Sequence, residues 1–356
     1  MKRFFKTALT VTLAATLLLT ASGCDGCNST PPIAFNNYFI GADANEPSFG
    51  YSETLTYTVT DKADYNTILK KATSLKDDIA KYSFNGTYTM TLNVLGSLPN
   101  TDSAGNQIST DIDWSGKNVY HLKSQLLLDA TYKVNGECAQ GFIDSKDTNI
   151  PDGKTYEDSI LSEVYFLAAG QSFAPIWSTT KVKNSILTVG DKANVNLKEY
   201  EVQTAYNNGS YKTTIKNGEE VSSSNSEYKF KRAIDSNQLL FAIRNLDIGT
   251  NASKTISTVS STYSQPQGLV ISNNAENTKT VNVNGQTVEV PVKNLTVKRS
   301  DKFNTGVPQY ILLQKEAKDD LLYKSLIIEY AAPLTTYGTF LNMGALVYTL
   351  SSTNYN

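Results

Sequence analysis

The chain has 356 residues, with 32 lysines and arginines against 34 aspartates and glutamates, one histidine, three cysteines and a formal net charge of −2. Beyond the first six residues no block of lysine or arginine occurs, so the clustered cations that phosphate contacts need are missing and nucleic-acid binding is not expected. One histidine excludes a histidine-rich metal site, and three cysteines cannot staple a body of this size.

Lys2, Arg3 and Lys6 precede an apolar run from Ala8 to Ala21, a charged n-region and an h-region too short to cross a bilayer unaided. This is the pattern of an export signal. Ala21, Ser22 and Gly23 lead directly into Cys24, and together they resemble the lipobox of bacterial lipoproteins, although the position three before the cysteine is Ala21 where leucine is usual. The resemblance implies a diacylglyceryl group on the Cys24 sulfur and removal of residues 1–23 as a lipoprotein signal peptide. It also implies a mature chain held on the extracytoplasmic face of a cell membrane by lipid rather than by a polybasic patch. Cys27 is the poorer acceptor, because Cys24 and Asp25 would occupy its small apolar positions. Asp25 resembles the inner-membrane retention signal of enteric bacteria. Cys27 and Cys138 remain, either as a disulfide or as two free thiols.

Residues 24–50 are rich in Asn, Pro, Gly and Ser and read as a flexible tether, whose roughly 25 residues give a root-mean-square span of about 25–30 Å. Phe35, Tyr38 and Phe39 are the members that can dock on the body. Residues 51–356 are expected to form a single antiparallel β domain.

Leu55 to Val59 alternates as a first strand, and Asp61 is followed by Tyr65, Ile68, Leu69, Ala72, Leu75 and Ile79 at helical spacing. Tyr88 to Val94 alternates again. In "VYHLKSQLLLDATYKVN" the even positions Tyr120, Leu122, Leu126, Leu128, Ala130, Tyr132 and Val134 are apolar, with Ser124 the exception. Some 16 residues of strand extend about 50 Å, far beyond the usual length, so this strand must curve, bulge or be shared between sheets. His121 falls on the polar phase beside Lys123, Gln125 and Asp129 and is expected on the solvated surface. In "DSKDTNIPDGKTYED", Asp147, Asn149, Asp152 and Glu157 offer the oxygen ligands calcium prefers. An extra residue before Gly153 departs from the EF-hand loop, so a solvated acidic connection is expected and no metal or cofactor is assigned. Ser159 to Leu167 alternates next. "STTK", Ser178 to Lys181, matches the Ser-x-x-Lys of penicillin-interacting enzymes, but no Lys-Thr-Gly follows it. No Gly-x-Ser-x-Gly elbow exists either, and no enzymatic activity is expected.

"YEVQTAYNNGSYKTTIKN" reads as a hairpin turning at Asn208 and Gly209, both with positive φ. That register sets Tyr206 against Tyr211, Thr204 against Thr213, Val202 against Ile215 and Glu201 against Lys216. Tyr228 to Phe230 alternates, and a short helix is expected from Ser236 as N-cap through Leu239, Leu240 and Ile243. Lys254 to Val259 is a further strand. "TVNVNGQTVEVPV" turns at Asn284 and Gly285 with Val281 opposite Val288, and the apolar phase then slips between Val292 and Leu295, which places a bulge near Pro291 to Asn294. Tyr310 to Leu313, Leu326 to Tyr330 and Leu346 to Leu350 complete the strands. No repeat of 20 to 50 residues is present, which argues against a propeller or solenoid. The fold class is therefore mainly β: a large curved antiparallel sheet or half-barrel with one or two helices.

This layout over residues 51–356 is similar to the β-clam envelope proteins, carriers whose curved sheet wraps a helix and holds acyl chains. "EDSILSEVYFLAAGQSFAPIWS" and "DSNQLLFAIRNL" resemble stretches of other bacterial envelope β-proteins. Many of the 21 tyrosines sit on apolar strand phases, where they serve either an ordinary β core or a cavity wall with hydroxyl tips. The functional expectation is a membrane-anchored lipoprotein binding an apolar or amphipathic ligand against Leu126, Leu128, Tyr132, Val202, Tyr206 and Tyr211. The alternative is a cell-surface interaction module with a filled core and exposed aromatics, with Trp114 and Trp177 near strand ends as stacking platforms.

Overall fold

In the computed structural model the described residues are Phe35, Pro47, 49–62, 80–134, 154–168, 170, 173–189, 193–227, 233–259, 266–300, 308–316, 325–336 and 341–356. Fifteen strands among them form one sheet. The first half holds β1 (Ser52–Lys62), β2 (Ala80–Leu95), β3 (Val119–Val134), β4 (Thr155–Leu167), β5 (Pro175–Val189), β6 (Ala193–Asn207), β7 (Ser210–Asn217) and β8 (Glu220–Glu227). The second holds β9 (Ala233–Asp235), β10 (Ser253–Val259), β11 (Gln267–Val283), β12 (Gln286–Arg299), β13 (Gln309–Gln314), β14 (Ile327–Thr336) and β15 (Leu341–Tyr355). The order across the sheet is β8 down to β1, then β15 down to β9, so the first and last strands pair at its centre.

That order makes the sheet roll. β8 and β9 are its opposite edges, yet only residues 228–232 separate them in the chain, a link that spans at most about 20 Å. The long strands curve to allow it. A Cβ on Gly86, in the middle of β2, would lie 2.1 Å from the Leu127 carbonyl oxygen of β3, an approach only glycine permits. The sheet is antiparallel at every junction but one: β9 enters from the far edge instead of by a hairpin and runs parallel to β10.

Alternation decides which face is inside. In β1, Glu53, Leu55, Tyr57 and Val59 are buried, while Ser52, Thr54, Thr56, Thr58 and Thr60 face outward. The inward residues of β1 to β4 and β10 to β15 form one large core with a helix inside it. That helix, α1 (Leu239–Arg244), reads LLFAIR, and all six residues are buried because it is walled by the sheet. Inward tyrosines pack on each other: Tyr57 on Tyr88 at 5.8 Å, Tyr88 on Tyr348 at 5.5 Å and Tyr348 on Tyr330 at 5.2 Å between ring centroids. They are core residues.

The helix start differs from expectation by one residue. Asp235, not Ser236, caps the 3-10 turn Ser236–Gln238 that precedes α1: its carboxylate accepts the Asn237 N–H at 2.7 Å, and its own N–H donates to Gln238 Oε1 at 2.7 Å. A carboxylate that can also accept two hydroxyls from across the roll wins the capping position over a serine. The same carboxylate accepts the Ser178 hydroxyl of β5 at 2.5 Å and the Tyr206 hydroxyl of β6, while Asn237 Nδ2 donates to Thr180 at 3.1 Å. At the other end of α1, Arg244 donates to both oxygens of Glu53 at 2.5 and 2.9 Å and to the Ser325 carbonyl at 3.0 Å, with both charges fully out of solvent. The helix candidate after Asp61 lies outside the described residues.

The 206/211 hairpin has the expected register, including Val202 opposite Ile215 and Glu201 opposite Lys216. Only Gly209, at φ 86°, uses the left-handed region there; Asn208 does not, because its N–H and side-chain amide are held by Asp111 from another loop. At the second hairpin both Asn284 (φ 52°) and Gly285 (φ 78°) do, and Val281 faces Val288. The phase slip in β12 is real, but the extra residue is Asn274 of β11, opposite the Asn294 to Leu295 step; a slip seen in one strand does not say which partner carries the additional residue.

Within residues 24–50, the described residues meet the body. Phe35 packs on the buried Phe173 at 4.9 Å, Pro47 is buried and its carbonyl accepts from Asn118 at 3.2 Å, and the Gly50 N–H donates to Val94 at 3.1 Å.

Two consequences can be measured. Glu53→Leu should cost about 3–5 kcal/mol, because it strands a buried guanidinium, and adding Arg244→Met should recover most of that loss in chemical denaturation. Asp158 of β4 is buried, which raises its carboxyl to about 6 although Ser185 donates to both its oxygens. The folded state therefore holds this proton more tightly than the unfolded one, so its contribution to stability is full below about pH 4 and is lost as pH rises through 6. Asp158→Asn should raise Tm at pH 7 and flatten the pH dependence between 4 and 6.

Candidate functional site

Residues 96–118, between β2 and β3, turn back across the outer face of the sheet as a strap. Leu98, Ile108, Ile112 and Trp114 pack there on Val119, Tyr165, Leu167, Ile176 and Trp177, a second core on the side of the sheet opposite α1. The strap is pinned by carboxylates. Asp102 accepts from Thr179 Oγ1 at 2.6 Å, Trp177 Nε1 at 3.2 Å and the Asn106 and Ala104 N–H groups at 2.8 and 2.9 Å. Burial pushes the Asp102 carboxyl up, but these donors outweigh it and hold it below the ordinary value.

Glu163 of β4 is the second pin. One oxygen accepts the Ser103 N–H at 2.7 Å and the other bonds His121 Nε2 at 3.0 Å. Burial acts to raise its carboxyl, and the His121 and Ser103 hydrogen bonds bring it below the usual range instead. His121 is therefore not a solvated surface residue. It is buried, with its ring stacked on Tyr165 at 4.2 Å and 4°. The alternation places it on the outer face correctly, but alternation does not distinguish a face open to water from one covered by a loop.

Beside the strap lies a groove of about 330 Å³ on the same outer face. Ser103 and Ala104 of the strap close one side; Thr89 and Thr91 of β2, Lys123 and Gln125 of β3, Leu161 and Glu163 of β4 and Thr179 and Lys181 of β5 line most of the rest. Lys123 stands directly opposite Glu163 in the β3–β4 register, yet both Glu163 oxygens are engaged elsewhere, and Lys123 forms no ion pair among the described residues. Lys181 shares Glu201 with Lys216, each at 3.5 Å. Leu161 is 45% exposed, and Leu127 is exposed on the same face two residues along β3 from Gln125. An unpaired ammonium, an apolar side chain and several hydroxyls thus converge on one small hollow.

The residues expected to line a ligand cavity do not share one surface. Leu126 and Leu128 are buried in the large core, Tyr206 and Tyr211 in a small cluster with Ala233 and Val259, and Val202 is buried between β5 and β7. The Tyr132 side chain lies outside the described residues, as do Asp147, Asn149, Asp152, Cys24, Cys27 and Cys138; Glu157 is exposed on β4. Ser178 points inward to Asp235 and Lys181 outward to Glu201, so the Ser-x-x-Lys match places its two residues on opposite faces of β5. Trp177 is buried beneath the strap and Trp114 half-buried within it. The strap and groove had one legible signal, an apolar-studded connection well beyond the usual loop length, which is commonly functional.

No protein family and no curated relative matches the chain. Among solved structures it is similar to a β-barrel-like protein of a domain of unknown function from Brucella abortus, at 10% identity and a TM-score of 0.42, over 87% of this chain and 99% of that one.

Asp102→Ala removes the acceptor for the buried Trp177 and Thr179 donors, and should cost about 2–3 kcal/mol and shift tryptophan emission to the red as the strap lifts. Unchanged emission would show that apolar contacts alone hold the strap.

Proposed function

We propose that the protein is a lipoprotein of the extracytoplasmic membrane face, anchored through Cys24, that binds a small amphipathic anion in the groove beside the strap. The observation that carries the ligand reading is the Lys123 ammonium, unpaired among the described residues and set near the exposed Leu161 in a hollow of about 330 Å³, at the lower end of small-molecule sites. The filled interior supports an outside site: α1 and the packed tyrosines occupy the concave face where a carrier would hold acyl chains. The anchor reading rests on the run from Lys2 to Cys24. An interaction module without a small ligand is the second reading, favoured by that same filled core and by Phe49, 72% exposed.

Octyl sulfate titrated by calorimetry should bind saturably to the body, and Lys123→Gln should weaken it about ten- to a hundredfold with Tm unchanged, since one charge-assisted contact to a ligand is worth about 1.5–3 kcal/mol. No saturable binding would leave the interaction module. Cys24→Ser should abolish fatty-acid labelling and leave the precursor uncleaved.

A further inference from the structure

The position of Phe35 limits how an anchored body can stand on its membrane. Phe35 lies against Phe173, whose ring also meets Phe241 at 5.2 Å and Phe166 at 5.8 Å, where β4 ends and β5 begins. Pro47, bonded to Asn118, and Gly50, bonded to Val94, lie where β2 ends and β3 begins. Both contacts are at the same end of the β2–β5 strands, the end that carries the strap. Eleven residue steps separate Cys24 from Phe35, and fully extended they reach at most about 36–40 Å. β4 alone, from Thr155 to Leu167, is about 40 Å long. Placing the opposite end against the bilayer would require every one of those steps to run straight along the outside of the body.

A second observation selects the same end. Phe49 is the most exposed large apolar side chain among the described residues, at 72%, and its ring lies over Gly96, at the start of the strap. Gly96 leaves the space: a Cβ there would stand 3.3 Å from the Phe49 ring. An exposed phenylalanine is costly in water and favourable at a bilayer interface, where aromatic rings collect.

We propose that the strap end of the body faces the bilayer, with Phe49 entering the headgroup layer, and that the end where β3 stops and β4 starts points away from it. This rests on the lipid anchor at Cys24. The surface it assigns is an apolar contact and not an electrostatic one, since Asp111 and Asp113 are exposed on the strap beside the half-buried Lys117. The groove then opens sideways, a short distance above the lipid surface.

The test uses the full lipidated protein, with Cys27 and Cys138 changed to Ser, in phosphatidylcholine vesicles carrying a headgroup-level spin quencher. A fluorophore at Ser97→Cys, exposed beside Gly96, should be quenched at least threefold more than one at Thr155→Cys, exposed at the other end. Phe49→Ser should lower the Ser97 quenching while the protein still floats with the vesicles. Flotation with equal or reversed quenching would overturn the orientation alone. Failure to float, with an unacylated mass, would overturn the anchor and the orientation with it. Unchanged Ser97 quenching in Phe49→Ser would remove Phe49 from the contact.

Discussion

The Asp235 carboxylate holds β9, one edge of a fifteen-stranded sheet, against β5 and β6 on the other side of the roll. An open sheet of that size leaves two edges and one exposed concave face, and the five-residue passage from β8 to β9 brings those edges close without supplying a ladder between them. Asp235 ties the β9 edge to β5 and β6 with side-chain bonds, while β8 beyond them stays open. It accepts from Ser178 on β5 and Tyr206 on β6, and in the same place it caps the turn that launches α1 into the interior. Burial raises its carboxyl above the ordinary range, and these donors only partly offset that. Asp235 thus couples closure of the roll to its filling, and Asn237 on Thr180 and Gln238 on the Phe173 carbonyl add to the same hold.

Buried charge recurs at the other end of that helix. Burial opposes the Arg244 charge, and Glu53 more than restores it. Such a pair is a weak source of stability compared with an apolar replacement, because desolvation offsets most of the attraction. Its value is positional. A six-residue helix that is apolar on all sides could slide or rotate within a greasy core, and a bidentate bond to β1 with a third contact at Ser325 leaves it a single arrangement. The remaining open edge, β8, is exposed at every residue but the half-buried Ser226 and reads EVSSSNSE. Two copies pairing there antiparallel about the centre would set Glu220 against Glu227 twice, a like-charge contact that discourages edge-to-edge association.

Strand positions were legible in the sequence because period two survives wherever one face is core. Both hairpin registers were legible because Asn-Gly turns and the phase switch across them carry independent information: the Val202–Ile215 and Val281–Val288 pairs depend on no distant residue. What stayed hidden depends on elements far apart in the chain. The Asp235 cap competes with Ser236 through hydroxyls on β5 and β6, the parallel β9–β10 pair follows from a passage between edges, and His121 is covered by a strap whose own apolar residues look like scattered loop residues. The inward residues Leu126, Tyr206 and their neighbours were read correctly as apolar faces, but a pattern of faces does not reveal that they fill two clusters instead of one hollow.

With the concave side filled, the groove beside the strap lies on the convex one. A helix and stacked tyrosines occupy the interior, so the outer face, polar by alternation, is where shape has to come from an added element, and the strap is that element. One of its pins, Glu163, also lines the groove: it holds Ser103 and His121 with both oxygens, which leaves Lys123, across the ladder, without a direct carboxylate partner among the described residues. Had the strap been absent, Lys123 and Glu163 would face each other as an ordinary cross-strand ion pair and the ammonium would be neutralised. The strap therefore does more than border the hollow, since its Ser103 N–H occupies one oxygen of Glu163 and, with His121 on the other, leaves the Lys123 ammonium without a direct carboxylate contact among the described residues.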